Sequence, residues 1–100
     1  AILDAIRDAA NPWIFPELVT DGDEPWSGVR VACFANSPRS THYVDVSGEW
    51  LELGIASLAE HRRYLEHVGT DAREMLTGFA TATGEAVGCE YAVSFEVFRP

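Results

Sequence analysis

The chain has 100 residues, 47% of them hydrophobic and 23% charged, a balance that fits an ordinary soluble globular domain and excludes disorder and collagen-like repeats. Seven basic residues, all arginine, stand against sixteen acidic ones for a net charge of −9, which repels phosphate backbones and argues against a nucleic-acid partner. No apolar run approaches the roughly 20 residues of a membrane span, and Ala1-Ile2-Leu3-Asp4 has neither the basic start nor the apolar stretch of a secretory signal, so a cytoplasmic protein is expected.

Ala1 to Ala10 places Ile2, Leu3, Ile6, Ala9 and Ala10 on one helical face, with Asp4, Arg7 and Asp8 opposite. Nothing precedes Ala1 to cap this helix, and the chain reads as a fragment that starts inside a helix of a longer protein. Asn11-Pro12 ends the helix, because the residue before proline is pushed out of the α region. Trp13 to Leu18 reads as a packed loop or one short helical turn, and Thr20 to Gly28, with Asp21, Gly22, Asp23, Glu24 and Pro25, as an acidic loop.

Val29 to Ala35 and Thr41 to Val46 alternate as strands do, separated by the loop Asn36 to Ser40. Ser47 is suited to cap the next helix, in which Leu51, Ile55, Leu58 and Leu65 repeat at helical spacing until Gly69. Asp71-Ala72-Arg73-Glu74 fits a capping box for a second helix, whose stripe of Ala72, Met75, Leu76, Phe79, Ala80 and Val87 ends near Gly88. Tyr91, Val93, Phe95 and Val97 then alternate with Ala92, Ser94 and Glu96, predicting a terminal strand with one better-buried face. The predicted order is α, loop, β, β, α, α, β in a single α/β domain over residues 1–100.

The chemistry-bearing residues form no complete constellation. Cys33 and Cys89 have no zinc-ribbon or Cys-x-x-Cys spacing and read as buried thiols. Asp21 to Glu24 lacks the spaced ligands of a calcium loop. His61 and His67, six apart on the predicted helix, point roughly 240° apart and do not make a zinc pair. Around them Glu60 with Arg63 and Arg62 with Glu66 have the spacing of surface ion pairs. Ser40, His42 and Asp45 supply the residue types of a hydrolytic triad without the Gly-x-Ser-x-Gly elbow that exposes a nucleophile. His42, on a strand beside the Ser-Pro-Arg-Ser loop, is either a ligand-facing residue or a half-buried histidine satisfied by the backbone. Trp13, Phe15 and Trp26 form either an apolar wall for a ligand or part of the core.

Asn11-Pro12-Trp13-Ile14-Phe15-Pro16-Glu17-Leu18, then Asn36 to Val46 with Ser-Pro-Arg-Ser-Thr-His-Tyr-Val-Asp-Val, then His61-Arg62-Arg63 and Tyr91 to Phe98, in this order, resemble the C-terminal half of LmbE-like (PIG-L) deacetylases. The resemblance covers essentially the whole chain. It implies the C-terminal portion of a Rossmann-like fold, in an enzyme that uses zinc to remove an acyl group from an N-acylated sugar or glycoconjugate, commonly an N-acetylglucosamine derivative.

In that family an Ala-His-Pro-Asp-Asp-Glu segment and a later histidine hold the zinc. Neither is present in these residues, so the resemblance implies that the zinc ligands lie outside this chain, in a missing N-terminal half of the same fold. Zinc lowers the pKa of a bound water and acts as a Lewis acid, so the isolated 100 residues are expected to be inactive. The roles carried over are those of a pocket rim. His42 is the expected catalytic residue, hydrogen-bonding substrate or assisting the oxyanion. Arg39, Trp13 and Phe15 are expected to bind substrate, and no metal ligand is expected here. The rival reading is a non-catalytic α/β module that binds a ligand or partner. Apolar patches on the first helix and on one sheet edge are expected, with the strands near Val29 and Tyr91 continuing into a larger sheet.

Overall fold

The computed structural model describes all residues, 1–100. The architecture is mixed α/β, with helices α1 (Ile2–Ala9), α2 (Pro16–Thr20), α3 (Glu49–Ala59), α4 (Arg62–Val68) and α5 (Ala72–Val87). Strands β1 (Ala32–Ala35), β2 (His42–Asp45) and β3 (Ala92–Phe98) make a three-stranded antiparallel sheet in the order β1-β3-β2. The strand beginning near Tyr91 is therefore the central one, not an edge. It carries no better-buried face, since its residues are half-buried throughout except for Ala92, which is 1% exposed. No helix is long and apolar enough to cross a membrane.

The chain divides into two compact units, residues 1–34 with 97–100 and residues 35–96. In the first, α1 keeps Leu3, Ile6 and Ala10 half-buried and buries none of its residues fully, and Ile2 stays more than half exposed. It ends as its sequence requires: the Asn11 N–H donates to the Asp8 carbonyl and Pro12 follows. Asn11 Oδ1 then accepts the Trp13 N–H at 3.0 Å, an Asx turn that redirects the chain. Pro16 stands at the start of α2, where its missing N–H costs nothing. Strand β1 is shorter than Val29 to Ala35, and its half-buried face carries Ala32 and Phe34. Phe34 and Phe98 meet edge to face, with ring centroids 5.7 Å apart.

In the second unit α3 packs on α5. Leu51, Ile55, Ala72 and Ala80 form the buried core, with Leu58, Leu65, Leu76 and Tyr91 packed around them. The buried line of α5 is Ala72, Ala80 and Gly84 with half-buried Leu76, at four-residue spacing. Phe79, expected in the stripe, lies on the open side at 56% exposure. Small residues on the contact line let α3 and the chain after α5 approach closely, and a Phe there would hold them apart.

The helix expected to run unbroken to Gly69 is two helices. The Glu60 and His61 N–H groups bond three residues back, to Ser57 and Leu58, and His61 adopts φ −83°, ψ 59° before α4 starts. No Gly or Pro marks this break, and leucines on both sides of it, Leu58 and Leu65, pack on the same core. Gly69, with φ +79°, closes α4 in the left-handed conformation. Gly48 rather than Ser47 caps α3, with φ +76°, and the Ser47 hydroxyl accepts from the Tyr91 N–H at 3.2 Å instead. At α5 the Asp71 carboxylate accepts the Glu74 N–H at 2.8 Å, the N-terminal half of the expected capping box.

Two further expectations are corrected. Neither thiol is buried: Cys33 is exposed and Cys89 half-buried. The pairs Glu60–Arg63 and Arg62–Glu66 do not form. Glu60, Arg62, Arg63 and Glu66 are all exposed, where pairing in water gains little; the side-chain ion pairs are Asp4–Arg7 at 3.1 Å, Arg39–Glu96 at 3.3 Å and Glu52–Arg73 at 2.6 Å.

Candidate functional site

In the second unit, the loop between β1 and β2 begins at Asn36, the one non-glycine residue with positive φ, at 56°, a conformation asparagine tolerates. Its N–H donates to the Ser94 carbonyl at 3.0 Å, which fastens the loop to β3. The loop then closes on itself, with the Ser40 N–H and hydroxyl both donating to the Ser37 carbonyl, at 3.1 and 2.7 Å.

Glu96 organises this corner. One carboxylate oxygen accepts the Ser37 hydroxyl at 2.5 Å and the other lies 3.3 Å from Arg39 Nε. Glu96 is only 17% exposed, whereas Arg39 is 80% exposed, so the guanidinium is tethered at its inner nitrogen and presents its outer N–H groups to solvent. By sequence pattern alone Glu96 is only an alternating strand residue. Its signal was a carboxylate within an otherwise apolar and small-residue strand, where a half-buried charge requires partners.

His42 opens β2, opposite Phe95 in the antiparallel register, and the preceding Thr41 N–H donates to the Phe95 carbonyl at 3.1 Å. Every residue of β2 is exposed, so His42 is not the half-buried, backbone-satisfied histidine of the alternative reading. Its Nδ1 lies 2.9 Å from Thr41 Oγ1, which orients the ring and leaves Nε2 open to a ligand. Ser40, His42 and Asp45 are not hydrogen-bonded in series. Asp45 instead accepts the Ser47 N–H at 2.9 Å, and hydrogen bonds from the Ser47 side chain and backbone hold its carboxyl below the usual range.

Arg39 and His42 thus stand three residues apart on one organised corner. Trp13 and Phe15 belong to the other unit. None of Trp13, Phe15 and Trp26 is part of a core, at 84%, 49% and 62% exposure. Phe15 and Trp26 line one cavity of about 570 Å3 there, and Trp13 does not. A cavity of about 840 Å3 in the second unit, bordered by Glu52, Arg73 and Tyr91, includes neither Arg39 nor His42.

The donor set of the chain does not fit a zinc centre. No three His, Cys, Asp or Glu side chains gather into a group able to hold a metal. His42 is on a strand, His61 precedes α4 and His67 lies within it. No protein-family model matches the chain, and no curated protein matches it significantly.

Proposed function

We propose that these residues are the C-terminal portion of a Rossmann-like, LmbE-type zinc-dependent deacetylase of N-acylated sugars. In this reading the Ser37–His42 corner forms part of the pocket rim. The observation that carries it is the Glu96 anchor, which fixes a loop so that an arginine and a histidine are both exposed with unused hydrogen-bonding capacity. Arg39 binds sugar hydroxyls or an attached anionic group through its outer N–H groups. His42 Nε2 hydrogen-bonds the substrate and moves a proton at the reacting amide.

Zinc and its ligands come from polypeptide outside these residues, and the antiparallel sheet is one edge of a larger one. The uncovered surface supports that completion. The accessible area is 7599 Å2, whereas size scaling gives roughly 6,700 Å2 even for two separately folded pieces of these lengths. Only five apolar residues are buried. Two free thiols fit a reducing, cytoplasmic compartment.

The test is to express the complete natural polypeptide that contains these residues, measure bound zinc, and assay acetate release from N-acetylglucosamine derivatives. Stoichiometric zinc and a turnover that falls about 100-fold or more in His42→Ala at unchanged melting temperature are expected. A complete polypeptide without zinc or acetate release would leave the binding-module reading in its place.

A further inference from the structure

The unit formed by residues 1–34 and 97–100 holds a cavity of about 570 Å3 between α1, α2 and the acidic loop. Its apolar walls include Phe15, Leu18 and Trp26, and Asp8, Asp23 and Glu24 stand in the same lining with no arginine among them. None of these three carboxylates is in an ion pair. The other polar side chain in the lining, Asn11, already accepts the Trp13 N–H.

The walls are fixed by the backbone. The Trp26 N–H donates to the Ala9 carbonyl at 2.9 Å, and the Asp23 N–H to the Leu18 carbonyl at 3.0 Å. The Trp26 indole lies over Gly28, with ring atoms 2.5–2.7 Å from where a Cβ would stand. Only glycine at position 28 allows the indole this position. A second cavity of the same unit, about 450 Å3, is lined instead by Arg7 and Arg99 with Leu3 and Ile6, so these two cavities carry opposite charge.

We infer that the Phe15–Trp26 cavity binds an organic cation, a quaternary ammonium group on an apolar body. Aromatic faces attract a cation through the ring quadrupole, and unpaired carboxylates at the rim add an attraction that no arginine in the lining offsets. A primary ammonium entering an apolar cavity must find acceptors for three N–H groups or lose their hydration. A quaternary ammonium has no N–H to satisfy, so mostly apolar walls hold it without that penalty. The volume is in the range of small-ligand sites. The inference does not depend on the deacetylase reading.

Calorimetric titration of the complete natural polypeptide with choline and with its uncharged carbon isostere, 3,3-dimethylbutan-1-ol, isolates the effect of the charge. Choline is expected to bind about tenfold tighter than the alcohol or better. The preference is expected to shrink in the double variant Asp23→Asn/Glu24→Gln and in Trp26→Ala, with Trp26→Phe, which keeps a weaker aromatic face, in between. Circular dichroism melting checks that the variants fold, and the exposed Asp23 and Glu24 keep the test valid if Trp26→Ala does not. Absence of saturable choline binding, equal affinity for the two probes, or a preference unchanged in Asp23→Asn/Glu24→Gln overturns the assignment.

Discussion

Glu52 on α3 and Arg73 on α5 are joined by two parallel hydrogen bonds, Nη1 to Oε1 at 2.7 Å and Nη2 to Oε2 at 2.6 Å. This fork tethers the two helices that enclose the core. The Arg73 hydrogen bonds hold the Glu52 carboxyl below its ordinary value of 4.5, and the same contact raises Arg73. A carboxyl whose folded pKa is depressed stabilises the fold fully above its ordinary value, and loses that contribution as pH falls through the depressed one. The difference in urea midpoint between the wild type and Glu52→Gln is therefore expected to be largest near neutral pH and to fade in acid below the ordinary carboxylate range. It should also shrink with salt, since both side chains are more than half exposed. A gap that stays constant down to acid pH would show that Glu52 acts by packing instead.

Gly84 is irreplaceable for a steric reason. A Cβ there would lie 2.6 Å from the carbonyl oxygens of both Cys89 and Glu90, and backbone cannot step aside as a flexible side chain can. Gly84→Ala, although a better helix former, is expected to destabilise by about 1–3 kcal/mol in chemical denaturation. Gly78→Ala, with nothing within 4 Å of its Cβ position, is the control and should be neutral or stabilising.

The two thiols should differ in reactivity. Partial burial pushes the Cys89 thiol up, helped by the negative charge of Asp45, and its Sγ lies 3.5 Å from the Tyr91 carbonyl. Cys33 is exposed. Brief alkylation with iodoacetamide near neutral pH, followed by peptide mass spectrometry, is expected to label Cys33 first. Equal labelling of both would mean that the Cys89 environment opens readily in solution.

Glu96 is expected to act as a positioning residue for the corner that carries Arg39 and His42. Glu96→Gln keeps its size and a hydrogen bond to Ser37 but loses the charge that tethers Arg39. Under the proposed deacetylase function it should, in the complete polypeptide, raise KM more than it lowers kcat, whereas Glu96→Ala should damage both. The readout that a merely structural role would not move is the KM-against-kcat split at unchanged melting temperature. If Glu96→Gln affects stability alone, the tether has no part in substrate binding.

Local signals in the sequence read well where one residue decides the outcome. Asp71 caps α5 because its carboxylate reaches the Glu74 N–H, Gly69 and Gly88 end their helices with positive φ, and Asn11-Pro12 ends α1. The candidate corner was legible only in part. Arg39 and His42 stood out by type and place, but Glu96 lies 57 and 54 residues further along and joins them only because β3 runs beside their loop. Likewise the stripe of Ala72, Met75, Leu76, Phe79, Ala80 and Val87 suggested that Phe79 belongs to the core, when α5 in fact packs through Ala72, Leu76, Ala80 and Gly84.

What the sequence alone determined is the stop of α1 at Asn11-Pro12, the Asp71 cap and the glycine ends of α4 and α5, since each depends on the backbone preferences of a few neighbouring residues. Which strand is central, where the helix from Glu49 breaks, and which carboxylate holds Arg39 were decided by tertiary structure. Those outcomes depend on contacts between residues far apart in the chain, whose energies outweigh local preference and leave no local pattern to read.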